Sequence, residues 1–277
     1  MARIRALIAS SPEARRANLA HQVCEAFDWR MLDGRFKEMS CRVAMLKMHR
    51  DGLINLPAPQ CVHRRPSANF QSPASDPQPA LEVPLTALSG LRLEMVKKGA
   101  PLRLWNKFIA RYHYLGYKAM PGPQLRYFIK DGNRVLGAMG FGAAAWKVAP
   151  RDRHFGWTPA LREQRLHLVV NQTRFLILPW VRCQNLATKT LAMATRCLPD
   201  DWAQRYGYRP VLLETFVDAS RFRGTCYKAG NWLQVGETQG RGRMDRFSNL
   251  VLPVKSIWLM PLVANFRSPL TAADVSQ

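Results

Sequence analysis

One stretch, residues 212–243, gathers the side chains best suited to chemistry. Leu212-Leu213-Glu214-Thr215-Phe216-Val217-Asp218 is an apolar run that carries two acids four residues apart. Gly224-Thr225-Cys226-Tyr227-Lys228-Ala229-Gly230-Asn231-Trp232 then sets a thiol, a phenol, an amine and an amide between glycines, and Gly240-Arg241-Gly242-Arg243 closes the stretch. Binding and catalytic groups concentrate where a strand ends in a turn. Side chains alternate along a strand, so Glu214, Phe216 and Asp218 share one face. Two reactions suit them. In acyl transfer Glu214 is a general base and Tyr227 the acid. In phosphodiester cleavage Glu214, Asp218 and Asp152 hold a divalent metal on carboxylate oxygens. The plain alternative is that both acids pair with Arg221, Arg223 or Lys228 and order the turn.

Other polar groups carry similar pairs of readings. His113, beside Tyr114, is a proton carrier or a satisfied half-buried imidazole. Asp152, between Arg151 and Arg153, is a ligand or an ion-paired loop residue. Cys226 is a nucleophile only if its pKa is depressed, and no histidine partner is marked in the sequence. Asn231 and Trp232 hydrogen-bond and stack on a base, or the indole closes the core. Arg241 and Arg243 offer two guanidiniums suited to phosphate.

The chain has 277 residues, 41 Lys+Arg against 19 Asp+Glu, and a formal net charge of +22. Such a charge repels itself and calls for a polyanion, with DNA the expected partner and an anionic membrane surface second. No apolar run has the length of a spanning helix. The start, Met1-Ala2-Arg3-Ile4-Arg5, lacks the apolar stretch of a signal peptide. Six cysteines form no C-x-x-C pair and no zinc spacing, which suits the reducing cytoplasm.

Helical periodicity marks residues 13–27 and 36–50, followed by a short extended piece at 53–57. That succession suggests a helix-turn-helix or winged-helix-like domain over residues 1–57, touching DNA through Arg35, Lys37, Arg42 and Lys47. The second helix has two apolar stripes, Cys41/Ala44/Met45/Met48 and Met39/Val43/Leu46, so a structural or dimerising role stands beside DNA contact. Residues 58–84 read as a Pro/Ser-rich linker. The core, 85–265, and a tail, 266–277, follow. Residues 85–277 hold 29 Lys+Arg against 11 acids, whereas residues 1–60 hold 10 against 6, so the polyanion signal lies in the core. The core contacts expected at DNA are Arg151, Arg221, Arg223, Lys228, Asn231, Trp232, Arg241 and Arg243.

Within the core the pattern predicts a helix over 102–112 and a hairpin turning at Asp131-Gly132, then a loop over 146–157. A helix capped by Thr158-Pro159 follows, reaching about residue 169. Then come a buried strand over 174–181, a helix to about 197, a short helix near 201–205, a strand over 211–217 and a last strand over 256–262. A strand-helix-strand unit spanning 174–217 requires a right-handed parallel crossover. The fold class is therefore α/β, with a mixed sheet that is mostly antiparallel around one parallel pair.

That order resembles the Gcn5-related N-acetyltransferase (GNAT) fold, whose Arg/Gln-x-x-Gly-x-Gly/Ala turn holds the pyrophosphate of acetyl-CoA at a helix N-terminus. Here Arg182-Cys183-Gln184-Asn185-Leu186-Ala187 stands in its place, with Asn185 where the glycine belongs. On this resemblance Arg182, Asn185 and Ala187 are the acyl-CoA-binding residues, and asparagine tolerates the left-handed conformation best after glycine. A wider resemblance rests on seven motifs in order: His113-Tyr114-Leu115-Gly116, Arg151-Asp152, Arg174-Phe175-Leu176-Ile177-Leu178, Glu214-Thr215-Phe216-Val217-Asp218, Gly224-Thr225-Cys226-Tyr227-Lys228-Ala229, Asn231-Trp232 and Gly240-Arg241-Gly242. Together they are similar to the DruA family of the Druantia anti-phage system, whose members also occur near mobile elements. The resemblance implies DNA as partner, with other defence or mobile-element proteins nearby. It leaves three activities open: a DNA reader, a metal-dependent nuclease or recombinase, and a DNA-directed acyltransferase.

Overall fold

A computed structural model describes residues 1–30, 34–58, 72–240 and 253–272. The chain divides into two compact units, Met1–Ala68 and Asn69–Gln277.

The first unit is built from α1 (Ala2–Ser10), α2 (Arg16–Ala26) and α3 (Glu38–Arg50). Ile4, Leu19, Ala20, Val23, Cys24, Cys41 and Met45 meet at its centre, joined by Ile54 and Leu56. The 53–57 segment, expected to be extended, bends at Leu53 and Ile54 and forms no strand. Arg5 holds the carbonyl of Leu53, Arg16 that of Pro57, and Leu56 N–H donates to His49 Nδ1. Eleven residues, 27–37, separate α2 from α3, with an isolated antiparallel bridge between Arg30 and Phe36. A helix-turn-helix joins its helices by three or four residues. The unit is therefore a three-helix cluster, and among its described residues there is no strand to form a wing. Only one of the two apolar stripes of α3 is packed: Cys41 and Met45 are buried, while Met39 and Val43 are exposed.

The second unit is a seven-stranded sheet with helices. Its strands are β2 (Leu91–Met95), β3 (Gln124–Asp131), β4 (Arg134–Ala143), β5 (Val169–Ile177), β7 (Leu212–Asp218), β8 (Leu233–Glu237) and β9 (Lys255–Pro261), in the spatial order β2-β3-β4-β5-β7-β9-β8. β5 and β7 run parallel; every other neighbouring pair is antiparallel. A separate parallel pair joins β1 (Leu81–Glu82) to β6 (Val181–Arg182). The linker expected over 58–84 is therefore shorter. Residues 72–84 dock on the core, where buried Ser75 accepts from Arg111 and its carbonyl accepts from Tyr112 Oη.

The helices of this unit are α4 (Ala100–Tyr112), α5 (Ala149–Phe155), α6 (Pro159–Arg165), α7 (Leu186–Tyr206), α8 (Thr225–Ala229) and α9 (Arg267–Thr271). α5 occupies the expected 146–157 loop. α6 begins as expected, with the Thr158 hydroxyl accepting from Leu161 N–H, but stops at Arg165. β5 consequently starts at Val169 rather than residue 174 and ends at Ile177. α7 passes through Pro199 without a break. Its buried side, Leu191, Ala194, Leu198 and Trp202, belongs to the sheet's main core, so packing along its length outweighs the lost hydrogen bond at the proline.

Candidate functional site

The parallel pair is short. β5 and β7 are in register only over Val169–Gln172 and Leu212–Thr215. On the other edge of β5 the pairing to β4 shifts between Gly140 and Phe141, which face Arg174 and Gln172, leaving Thr173 as an extra residue. A bulge of this kind bends its strand and re-aims the side chains next to it. β5 leaves β7 where the bulge lies, and a cavity of about 450 Å³ occupies the gap.

Gln172, Thr173, Arg174 and Phe175 line the cavity from β5; Thr215, Phe216 and Val217 line it from β7. His113, Tyr114 and Leu115 come from the end of α4, and residues 221–227 supply the remaining wall. The Tyr114 and Phe222 rings lie 5.3 Å apart, and the Arg221 guanidinium sits 5.4 Å from the Tyr114 ring. Phe222 is 50% exposed. Gly224 starts α8 with φ of 68°, and a Cβ there would stand 2.7 Å from the Trp258 ring, so only glycine closes this corner.

At the cavity floor Tyr227 is buried among Phe175, Trp232 and Trp258, and its hydroxyl donates to Gln172 Oε1 at 3.1 Å. Burial pushes the Tyr227 phenol far above its ordinary value, with Cys226 adding to the shift. Gln172 is 3% exposed, and its Nε2 has no hydrogen-bond partner among the described residues. Burial, reinforced by the cations Arg174 and Lys255, lowers the His113 pKa to about 4. Its Nδ1 accepts from Leu115 N–H at 3.2 Å, so at neutral pH it is an uncharged ring with one nitrogen already engaged. Burial raises the Cys226 thiol rather than lowering it, so Cys226 lacks the thiolate character of a nucleophile.

The two acids of β7 do not work together. Glu214 and Arg151 are both 0% exposed. Arg151 Nη1 donates to Glu214 Oε2 at 2.8 Å, and Ala145 N–H donates to Oε1 at 2.8 Å. Arg151 also grips Asp152 Oδ1 through Nε and Nη2, and Arg162 reaches Asp152 Oδ2 at 3.2 Å. The result is a buried cluster of two guanidiniums and two carboxylates. Burial pushes the Glu214 carboxyl above the usual range, and Arg151 pulls it back. Asp218 instead accepts from Ser220 Oγ and N–H, which holds it below the usual carboxylate range. Arg221 stands 3.8 Å from it.

These positions correct several expectations. Both oxygens of Glu214 are engaged inside the protein, so it is not placed to strip a proton from a substrate. Asp152, Glu214 and Asp218 do not form the expected carboxylate trio, and no group of three His, Cys, Asp or Glu able to hold a metal exists among the described residues. Arg151 is buried in the cluster, and Trp232 is 5% exposed against Tyr227, so neither faces a nucleic acid. Arg221, Arg223, Lys228 and Asn231 are exposed around the turn and α8. In the first unit Arg35 and Lys47 are exposed, Lys37 is half-buried, and Arg42 reaches back to Glu38 at 3.5 Å. Arg241 and Arg243 lie outside the described residues. Arg182 and Asn185 are exposed before α7, with Ala187 in its first turn; Asn185 has φ of 64°, the left-handed form expected where a glycine would stand. Gln172 was missed from the sequence. Its position inside an apolar strand, Val169-Val170-Asn171-Gln172, was the available signal.

The family model described as "Druantia protein DruA" matches residues 47–257. The chain belongs to the DruA family. Membership associates it with Druantia anti-phage defence, and the match leaves α1, α2 and most of α3 outside it. No protein of curated function matches the chain. Among solved structures, an N-acetyltransferase from Staphylococcus aureus Mu50 is similar at 16% identity and a TM-score of 0.39, over 63% of this chain and 100% of that one. The ribosomal-protein-S18-alanine N-acetyltransferase from Escherichia coli is similar at 10% identity and a TM-score of 0.39, over 68% and 99%. An N-acyl amino acid synthase from uncultured soil microbes gives 15% identity and a TM-score of 0.38, over 65% and 94%. At these scores the likenesses carry no argument about activity. The mixed sheet with its single parallel pair agrees with the expected GNAT-like class. No described helix is long and apolar enough to cross a membrane.

Proposed function

We propose that this DruA-family chain is a DNA-binding defence protein whose core grips nucleic acid at the cavity between β5 and β7. The observation that carries the reading is the cavity's make-up: arginines at positions 174, 221 and 223 around an aromatic wall, on a chain of net charge +22. Guanidiniums bind phosphate oxygens, aromatic rings stack on bases, and the two together are how strands are held. The buried Arg151–Asp152–Arg162–Glu214 cluster is then scaffolding. It fixes the 145–152 segment against β7 and leaves the site's cations to Arg174 on β5 and the turn after β7. Titrating labelled DNA at several salt concentrations tests the reading: affinity should fall steeply and linearly on a log–log plot. Affinity that is flat from about 50 to 200 mM salt refutes it.

A second reading, DNA-directed acyl transfer, is favoured by one feature: Asn185 in left-handed conformation opens the long helix α7. Arg182, Asn185 and the backbone N–H groups that follow would hold the donor's pyrophosphate, and the donor would supply the activated acyl group. Calorimetric titration with acyl-CoA reads this directly, and the absence of any heat at millimolar donor removes it.

A further inference from the structure

We propose that the cavity receives a single nucleotide turned out of its strand, with its base on Gln172 and its flanking phosphates on Arg221 and Arg223. The proposal rests on the nucleic-acid reading above and goes further, because it names what enters the cavity.

Three observations converge. First, Gln172 is a buried amide that lines the cavity with both of its N–H donors unspent. Tyr227 Oη binds Oε1, while Nε2 has no partner among the described residues. If the amide were turned over, Oε1 would be the orphan instead, so one polar atom at the floor lacks a partner in either orientation. An unpaired buried donor is costly, and a ligand that accepts from it removes that cost. Second, Tyr114 and Phe222 present flat rings at the mouth, and Phe222 keeps half its surface in solvent although it is large and apolar. The two rings already pack on each other, tilted by 59°, so a nucleobase would stack on the solvent-facing side of Phe222, and its edge carries both donors and acceptors. An acyl chain would leave the amide unpaired. Third, Arg221 and Arg223 flank Phe222 in sequence and line the same cavity, where the phosphates on either side of an extruded base would pass. The volume, about 450 Å³, falls in the range of small-ligand sites and is far too narrow for a duplex.

Extrusion from a duplex costs unstacking and unpairing, and least for a base that is already unpaired. The full chain should therefore bind a duplex with one bulged nucleotide more tightly than a fully paired duplex, by about tenfold or more. Fluorescence anisotropy at one fixed salt concentration compares three labelled duplexes: paired, bulged, and bulged with an abasic residue. The expected order is base-bearing bulge first, with the abasic bulge no better than the paired duplex. Phe222→Ala, at an exposed position, and Gln172→Leu should each bring the ratio of bulged to paired affinity close to one, with circular dichroism confirming the fold. Equal affinity of the wild-type chain for all three duplexes overturns the cavity proposal while leaving DNA binding intact. An abasic bulge bound as well as the base-bearing one also overturns it, since the bend and not the base is then recognised. Binding of none of them at low salt fails the underlying nucleic-acid reading as well.

Discussion

Replacing Glu214 by alanine separates a structural role from a chemical one. In the folded protein Arg151 has no exposed surface, and three acceptors satisfy it: Glu214 Oε2, Asp152 Oδ1 and the Ala145 carbonyl. Removing Glu214 leaves the cluster with two guanidiniums and one carboxylate, and it orphans the Ala145 N–H. Breaking a buried pair on one side costs about 3–5 kcal/mol, because a buried charge loses its compensation. For a unit of this size about 1 kcal/mol moves Tm by roughly 2–4 °C, so Glu214→Ala should lower Tm by roughly 6–20 °C. Thermal unfolding followed by circular dichroism measures it. DNA affinity measured well below the new Tm should stay within about twofold of wild type, because Glu214 touches only protein. A Tm within about 2 °C of wild type, combined with lost DNA binding or activity, would refute the scaffold assignment and return Glu214 to the chemistry.

Removing Arg151 instead, as Arg151→Met, exposes a pH dependence. With Arg151 gone, burial and the nearby Asp152 act on Glu214 against the Ala145 N–H alone, and its folded pKa climbs further above the unfolded value; the variant's deficit should grow as pH rises through that folded pKa and shrink in acid, as denaturant melts at pH 5 and pH 8 would show. His113 carries the opposite sign: its folded pKa, about 4, lies below the unfolded 6.5, so stability that is complete above pH 6.5 is lost as pH falls toward 4, and the His113 ring-proton shift in NMR should report a neutral ring at pH 6. The Arg221→Ala/Arg223→Ala double variant should lower the slope of log affinity against log salt by about 2, with an unchanged slope counting against phosphate contact there. Gly224→Ala should destabilise by more than about 1 kcal/mol, since it meets both the positive φ and the Trp258 ring; a neutral melt would contradict that packing.

Much of the architecture was legible because its signals are local. The hairpin at Asp131-Gly132, the Thr158 cap, the left-handed Asn185 and the two helices flanking residue 30 each depend on a few neighbouring residues, and the structure contains all of them. Helix continuation through Pro199 was not legible, because the packing that overrides the proline comes from a distant sheet. The start of β5 was displaced for a related reason: Val169 reads as the end of a helix and Val170-Asn171-Gln172 as part of no element until β4 and β7 are beside them.

What the sequence alone determined is therefore the charge, the family and the α/β class with a mostly antiparallel sheet; the groups after β7 it offered only as candidates. Tertiary structure decided which of those groups face solvent. Arg151 and Glu214 lie 63 residues apart, and nothing local marks them as partners. Likewise Trp232 and Gln172 both look available in the chain, yet one closes the core while the other keeps an unpaired amide at the cavity floor. The physical reason is the bulge at Thr173: by bending β5 away from β7 it opens the cavity, a consequence of inter-strand register that no single segment encodes.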